Sequence, residues 1–290
     1  MKITADASER VDRAIARSFP GASRRALAEL FDDGAVRVRG KRAKKGDRVA
    51  PGDVIELART PAIGDDLRAQ PDPAIAVDVL VERADLVAIA KPAGMPSQPL
   101  RAGERGTAAN AIAARWPECA ALGDDPRDGG LVHRLDIGTS GVLVAARTPE
   151  AYRALREAFS AGRVEKHYLA IACARPVARS CDAPLAQRGN HVVVDHADGL
   201  PAETAFVVER TSATHALVRC IARTGRMHQV RAHLAHVGAP IAGDTLYGGA
   251  PIAGHDGFFL HAARVVLPQL TIDAPLPARF AAAATAVALE

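Results

Sequence analysis

Gly129-Gly130-Leu131-Val132-His133-Arg134-Leu135-Asp136-Ile137-Gly138-Thr139-Ser140-Gly141 runs directly into Val142-Leu143-Val144-Ala145-Ala146. A polar loop bracketed by glycines thus separates two apolar runs, Leu131-Val132 and the stretch from Val142. A short unbroken apolar run bounded by turn residues fits a buried strand. The reading is strand–loop–strand, with Asp136 at a sheet edge where a rigid scaffold can aim it. The same loop has a second reading. Asp136, Thr139 and Ser140 are short polar side chains of the kind that satisfy turn backbone groups, and the loop alone leaves both open.

On either side the chain mixes strands and helices. Leu80 to Glu82 and Leu86 to Ala90 read as strands around an Arg83-Ala84-Asp85 turn. Val164 to Ala172, Pro201 to Glu209, Ala216 to Ile221 and Phe259 to Leu267 read as further strands. Helices are predicted from Thr107 to Trp116, from a Thr148 cap with Pro149 at the first position to Gly162, from Met227 to Val237, and in the Ala-rich tail. Strands outnumber helices without regular βαβ alternation, so the class is α+β with a largely antiparallel, mixed sheet. No internal repeat is visible.

Two more stretches concentrate chemistry. In Glu165-Lys166-His167-Tyr168-Leu169-Ala170-Ile171, strand alternation puts Lys166, Tyr168 and Ala170 on one face. That face either opens into a cleft or makes Tyr168 a core aromatic with its hydroxyl at the rim. In Arg223 to Gly238, helical spacing places Arg231 beside His228 and pairs His233 with His236. A zinc site here would lack an H-E-x-x-H pattern, and no acid occurs between Arg223 and Asp244. Surface or hydrogen-bonded histidines are therefore expected, and no metal.

Charge is uneven. Residues 1–60 hold 14 Lys+Arg against 9 Asp+Glu, while the remainder is nearly balanced within a formal net charge of +4. A basic module that meets a polyanion is one explanation, and an ordinary solvated surface is the other. The segment reads as helix–helix–strand: Val11, Ala14, Ile15 and Phe19 on a first helix, a Pro20-Gly21 turn, Ser23 as N-cap, Leu27, Leu30 and Phe31 on a second helix closed by Gly34. A strand with alternating valines and arginines follows over 35–40, then a cationic loop at 41–45, a Pro51-Gly52-Asp53 turn and a last strand. Arg24, Arg25, Arg37, Arg39, Lys44 and Lys45 can line one face and contact phosphates without reading bases.

At 290 residues with 48% hydrophobic content, the chain can bury a core. Its apolar runs fall far short of the ~20 residues a membrane span needs. An acid at Asp6 stands where a signal peptide wants an apolar run, so a cytoplasmic protein is expected. The four cysteines form no C-x-x-C pair and are read as reduced thiols.

Residues 9–57 resemble the small RNA-binding domain named after a small-subunit ribosomal protein, through Arg10-Val11-Asp12, Ser23-Arg24-Arg25, Gly34 to Gly40 and Pro51-Gly52-Asp53-Val54-Ile55. Residues 76–268 resemble the RluA-type pseudouridine synthases. The motifs are Asp85 to Pro96, His133-Arg134-Leu135-Asp136 with Thr139-Ser140-Gly141, Lys166-x-Tyr168, Gly225-Arg226-x-His228-Gln229-Val230-Arg231-x-His233-Leu234, and Gly243-Asp244 with Leu246-Tyr247-Gly248. Ile137-Gly138 stands where relatives often carry charged residues, and Gln98 where a histidine is common. The expected organisation is a small basic RNA-binding domain at 1–58, a linker at 59–74 and a synthase body at 75–290.

The resemblance implies isomerisation of uridine to pseudouridine in structured RNA, with large-subunit ribosomal RNA favoured and transfer RNA as the alternative. Asp136 would supply the carboxylate, adding to C1′ or taking a ribose proton. Tyr168 would stack on the base and act in proton transfer, and Arg231 would pair with Asp136. Arg134 would fill the stack vacated by a flipped nucleotide, with Lys166 also on the RNA side. The reaction breaks and remakes one glycosidic bond without redox change, so no cofactor is implied. A monomer is expected. Rival readings are an inactive RNA-binding or ribosome-assembly factor and a hydrolase using His228, His233 and His236 on a metal.

Overall fold

The computed structural model describes residues 1–20, 22, 24–61, 68–101 and 103–289, with Arg24 and Arg25 described by backbone alone. The chain divides into two compact units, residues 1–67 and 68–290.

The first unit runs β1 (Lys2–Thr4), β2 (Glu9–Arg10), α1 (Val11–Ser18), α2 (Arg24–Asp32), β3 (Val36–Val38), β4 (Lys41–Arg42), β5 (Arg48–Val49) and β6 (Val54–Leu57). Its main sheet has the order β1-β6-β3-β4. Ile15 of α1 and Leu30 of α2 close with Val36, Ile55 and Leu57 into one apolar core. The strand expected over 35–40 stops at Val38. Arg39 and Gly40 take left-handed φ values of 51° and 76° and turn the chain into β4. Gly21 and the expected N-cap Ser23 lie outside the described residues.

The stretch expected as a linker divides. Residues 62–67 lie outside the described residues. Beyond them Ala69 is buried among Val87, Ala109 and Ile112, and the Asp72 N–H donates to the Asn110 carbonyl at 3.1 Å. Residues 69–72 therefore pack as part of the larger unit.

That unit contains β7 (Asp78–Glu82), β8 (Leu86–Lys91), α3 (Ala108–Arg115), β9 (Ser140–Ala146), α4 (Pro149–Ser160), β10 (Glu165–Ala172), β11 (Ser180–Cys181), β12 (Leu185–Arg188), β13 (His191–Val194), β14 (Thr204–Thr211), β15 (Ala216–Ala222), α5 (Gln229–His236), β16 (Leu260–Leu267), β17 (Leu270–Asp273) and α6 (Ala278–Ala286). Among the described residues its sheet has nine strands, in the order β11-β14-β15-β10-β16-β9-β8-β7 with β17 beside β16. The β9–β16 pair is parallel and the others are antiparallel. Thr107 and Thr148 cap α3 and α4, accepting from the backbone of Asn110 and Ala151.

Every residue of β9 is buried. Its odd-numbered side chains Leu143 and Ala145 meet α3, and its even-numbered Val142 and Val144 meet α4. Further along, α5 packs on Ala170, Val218 and Cys220, while α6 packs on Ile171 and Leu217 behind them. Tyr168 touches the clusters under both α3 and α5.

Three local expectations are corrected. Leu131-Val132 is not a strand but an isolated bridge to Ala145. β9 lies between β8 and β16, so the Asp136 loop opens over the end of a central strand rather than at an edge. Local pattern cannot reveal strand order, which depends on residues about 120 positions away, such as His261 paired with Ser140. The helix expected from Met227 starts at Gln229, because His228 adopts a left-handed φ of 52° as its N-cap. Gly141 has φ +119°, and a Cβ there would collide with the Ala262 backbone, so the parallel junction requires glycine.

Candidate active site

The loop before β9 is clamped along its length. Ser97 Oγ donates to the Leu135 carbonyl at 2.7 Å and accepts the Leu135 N–H at 3.0 Å. The Gly94 N–H donates to the Ile137 carbonyl at 2.8 Å, and Thr139 N–H closes a turn onto the Asp136 carbonyl at 3.0 Å. Lys91, 1% exposed, donates to the carbonyls of Pro92, Met95 and Ile137 at 3.0, 2.7 and 3.2 Å. Burial pushes its ammonium down to about 8, with the charge of Asp136 opposing. His133 anchors the loop's start: its Nε2 accepts the Val144 N–H at 3.1 Å and its ring stacks on Phe159 at 4.8 Å. Burial first, then the charges of Lys166 and Arg156, push His133 down to about 3, so it serves as a neutral acceptor.

Arg231, on the first turns of α5, reaches Asp136. Its Nη1 donates to Asp136 Oδ2 at 3.1 Å. Its two-pronged contact goes elsewhere: Nε and Nη2 donate to Asp244 Oδ2 and Oδ1 at 2.6 and 2.9 Å. The pairing with Asp136 that the resemblance implies is thus a single bond, because the fork is already filled by Asp244, whose side chain is 1% exposed. The guanidinium sits over the rings of Tyr247 at 5.0 Å and Phe258 at 4.5 Å. Burial opposes its charge, but Asp244 and then Asp136 outweigh that and hold it above its usual value. A Cβ on Gly138 would come within 2.5 Å of the Phe258 ring, so the small residue after Ile137 makes room for the ring that faces Arg231.

Tyr168 sits in the same pocket. Burial first, then the charge of Asp136, push its phenol above its ordinary value, so it keeps its proton near neutral pH. His228 places Nε2 at 4.0 Å from Asp136 Oδ1, while its Nδ1 lies 3.0 Å from the Tyr247 hydroxyl. The site therefore has one carboxylate oxygen held by an arginine and the other open beside an imidazole and a protonated phenol.

Residues 85–236 match the RNA pseudouridylate synthase family, and residues 9–55 match the S4 domain. The chain belongs to the RluA-type RNA pseudouridine synthases. An uncharacterized RNA pseudouridine synthase of Chloroflexus aurantiacus is 39% identical over 285 residues, spanning 93% of this chain and 87% of that protein. The ribosomal large subunit pseudouridine synthase D of Yersinia pestis is 35% identical over 248 residues, spanning 84% and 74%. The human RNA Pseudouridylate Synthase Domain Containing 4 is 24% identical and shares the fold, with a TM-score of 0.59 over 73% of this chain and 94% of that one.

In this synthase the structure brings Asp136, Tyr168, Arg231 and His228 together. Arg134, two residues before Asp136 in the loop, is exposed and within electrostatic range of Asp125 and Asp128. Lys166 is not on the open face: it is 6% exposed and its ammonium donates to the Thr224 carbonyl at 2.6 Å, 5.9 Å from the centre of the Phe159 ring. A β-bulge in the pairing with β16 falls between His167 and Tyr168, and burial pushes Lys166 down to about 8. In the first unit Arg37, Lys44 and Lys45 are exposed, while Arg39 is tied to Asp53 by two bonds at 2.9 and 2.6 Å. Arg24 and Arg25 lie on α2.

The candidate metal histidines of the synthase do not converge. His233 is fully buried between Thr204 Oγ1 and the Ala183 carbonyl, each at 2.9 Å. Among the described residues no group of three His, Cys, Asp or Glu side chains could hold a metal ion. Sequence reasoning quoted Lys91, Asp244 and Tyr247 within motifs but gave them no role, and it did not single out Phe258 or Ser97. For Asp244 the available signal was its isolation, the first acid after a long acid-free stretch.

Proposed function

We propose that this synthase isomerises uridine in large-subunit ribosomal RNA, with Asp136 as the reacting carboxylate and the target nucleotide flipped out of its stack. The observation that carries the reading is the asymmetry of Asp136. Oδ2 is taken by Arg231 at 3.1 Å, leaving Oδ1 as the oxygen that can meet a ribose. The N1–C1′ bond breaks, the uracil turns, C5 joins C1′, the C5 proton is lost and N1 takes up a proton. Oδ1 either adds to C1′ and is displaced when C5 joins it, or takes the C2′ proton and gives it back. Arg231 holds the carboxylate in place through its bond to Oδ2, and Tyr168 offers a protonated phenol for stacking and proton transfer.

Exposed Arg134 supports flipping, because a side chain that fills the vacated stack offsets part of the unstacking cost. The ribosomal substrate is favoured by the relatives named for that RNA and by the S4 match. No redox change or added group occurs, so the reaction as proposed needs no cofactor. No helix among the described residues is long and apolar enough to cross a membrane. A cytoplasmic monomer completes the proposal.

The test is Asp136→Asn, assayed by tritium release from ribosomal RNA labelled at uridine C5. The amide keeps the shape and lacks the charge, so turnover should vanish while RNA binding persists. Substantial tritium release by the variant would overturn the assignment.

A further inference from the structure

We infer that His228 contacts the substrate directly: its Nε2–H donates to the ribose 2′-hydroxyl of the target uridine, making the residue a determinant of ribose over deoxyribose. The inference rests on the reading of Asp136 as the group that acts at the ribose.

Three observations converge on His228. Its backbone has φ 52° at the N-cap of α5, where its side chain makes no capping hydrogen bond. A left-handed non-glycine residue costs conformational energy, and such strain persists where the surrounding structure fixes it for a purpose. Second, its neighbours fit one tautomer. The Tyr247 hydroxyl oxygen accepts the Val192 N–H at 2.9 Å and has its own proton to donate to His228 Nδ1, 3.0 Å away. With that assignment the imidazole proton is on Nε2. The edge-on packing of the two rings, with centroids 5.8 Å apart, holds the orientation. Burial lowers the His228 pKa, with Asp136 opposing, so the ring is a neutral donor near pH 7.

Third, Nε2 points at the reactive oxygen without bonding to it. The 4.0 Å gap to Asp136 Oδ1 is too long for a hydrogen bond. A ribose whose C1′ or C2′–H meets Oδ1 carries its 2′-oxygen one or two bonds away, within reach of Nε2. A donor aimed there would use the group by which proteins tell RNA from DNA.

The experiment compares single-turnover rates on two RNAs that differ only at the target, one with uridine and one with 2′-deoxyuridine. Asparagine tolerates left-handed backbone, so His228→Asn should keep the loop, as a thermal melt would verify. His228→Gly, which the backbone also accepts, serves if asparagine misfolds. The deoxy substitution should slow the wild type about 3- to 10-fold, the size of one neutral hydrogen bond. His228→Asn should slow turnover of the uridine RNA by a similar factor. The deoxy substitution should then cost the variant less than about twofold, since the bond is already gone. An equal deoxy penalty in variant and wild type, or a fully active variant, would overturn the proposal. Equal penalties are also what donation to the uracil O2 would give. Asp136→Asn run on both RNAs separates the two readings. Turnover by that variant sinks the assignment of Asp136, whereas a dead Asp136→Asn with equal penalties sinks only the role of His228.

Discussion

Arg231→Lys preserves charge and removes the fork, so it measures what the fork does. The arginine makes three charge-assisted bonds, to Asp244 at 2.6 and 2.9 Å and to Asp136 at 3.1 Å. An ammonium on an unbranched stem cannot occupy three nitrogen positions, so at least two of these bonds break. Bonds of this type contribute about 1.5–3 kcal/mol each, so the gross loss is about 3–6 kcal/mol. Partial reseating of the lysine on Asp244 brings the expectation to about 3 kcal/mol. Part falls on stability, because Asp244 is buried and left poorly paired; at about 2–4 °C per kcal/mol for a domain of this size, Tm should fall by up to about 6–12 °C. The part that falls on the aim of Asp136 should slow single turnover by about 10- to 100-fold. The slowing should match on folded and unstructured RNA, since the carboxylate as proposed acts on both. Asp244→Asn should lower Tm similarly. A variant with wild-type Tm and wild-type rate would refute the division of labour between the two carboxylates.

Arg134→Ala should impair folded RNA more than a short unstructured substrate, because unstacking is cheapest where the base is already free; equal losses in single-turnover rate would contradict the flipping role. Replacing Arg37, Lys44 and Lys45 by alanine should flatten the dependence of log affinity on log salt by about 0.7–0.9 for each phosphate no longer neutralised, read from binding titrations; an unchanged slope would make them solvated surface. His133 has a depressed folded-state pKa, about 3. The unfolded chain takes up that proton first, so stability is full above about pH 6.5 and falls as pH drops towards 3. His133→Gln should remove about 1–2 kcal/mol of the destabilisation between pH 7 and pH 5, measured by urea unfolding; identical slopes would count against the neutral-acceptor role.

Much of this was legible because the signals are local. Thr148 announced its helix through capping chemistry, and Val142 to Ala146 read as buried because both faces of β9 are covered. Asp136, Tyr168 and Arg231 stood out through motif order. What escaped depends on distant partners. Asp244 is only a turn residue until α5 folds back to set Arg231 against it. The left-handed turn at His228 interrupts a pattern whose spacing still looks helical, since Tyr247 and Val192 hold that ring in place. Lys166 reads as facing RNA beside Tyr168, and only the fold brings the Thr224 carbonyl to its ammonium. Strand β1 is too short to announce itself before β6 pairs with it.

The parallel junction of β9 with β16 has a consequence for how this enzyme comes into being on the ribosome. β16 is inserted between β9 and β10, so a strand made late separates two strands made early. Asp136 is carried at the entrance to β9, while Tyr168 stands on β10, and both flank a gap until residues 260–267 arrive. The Ser140–His261 contact closes a loop of 121 positions, the kind of long-range closure that forms slowly. A nascent or prematurely ended chain lacking β16 would leave Asp136 and Tyr168 unassembled. A chain ended before residue 260 should therefore fail to modify RNA, since the strand that joins β9 to β10 would be missing.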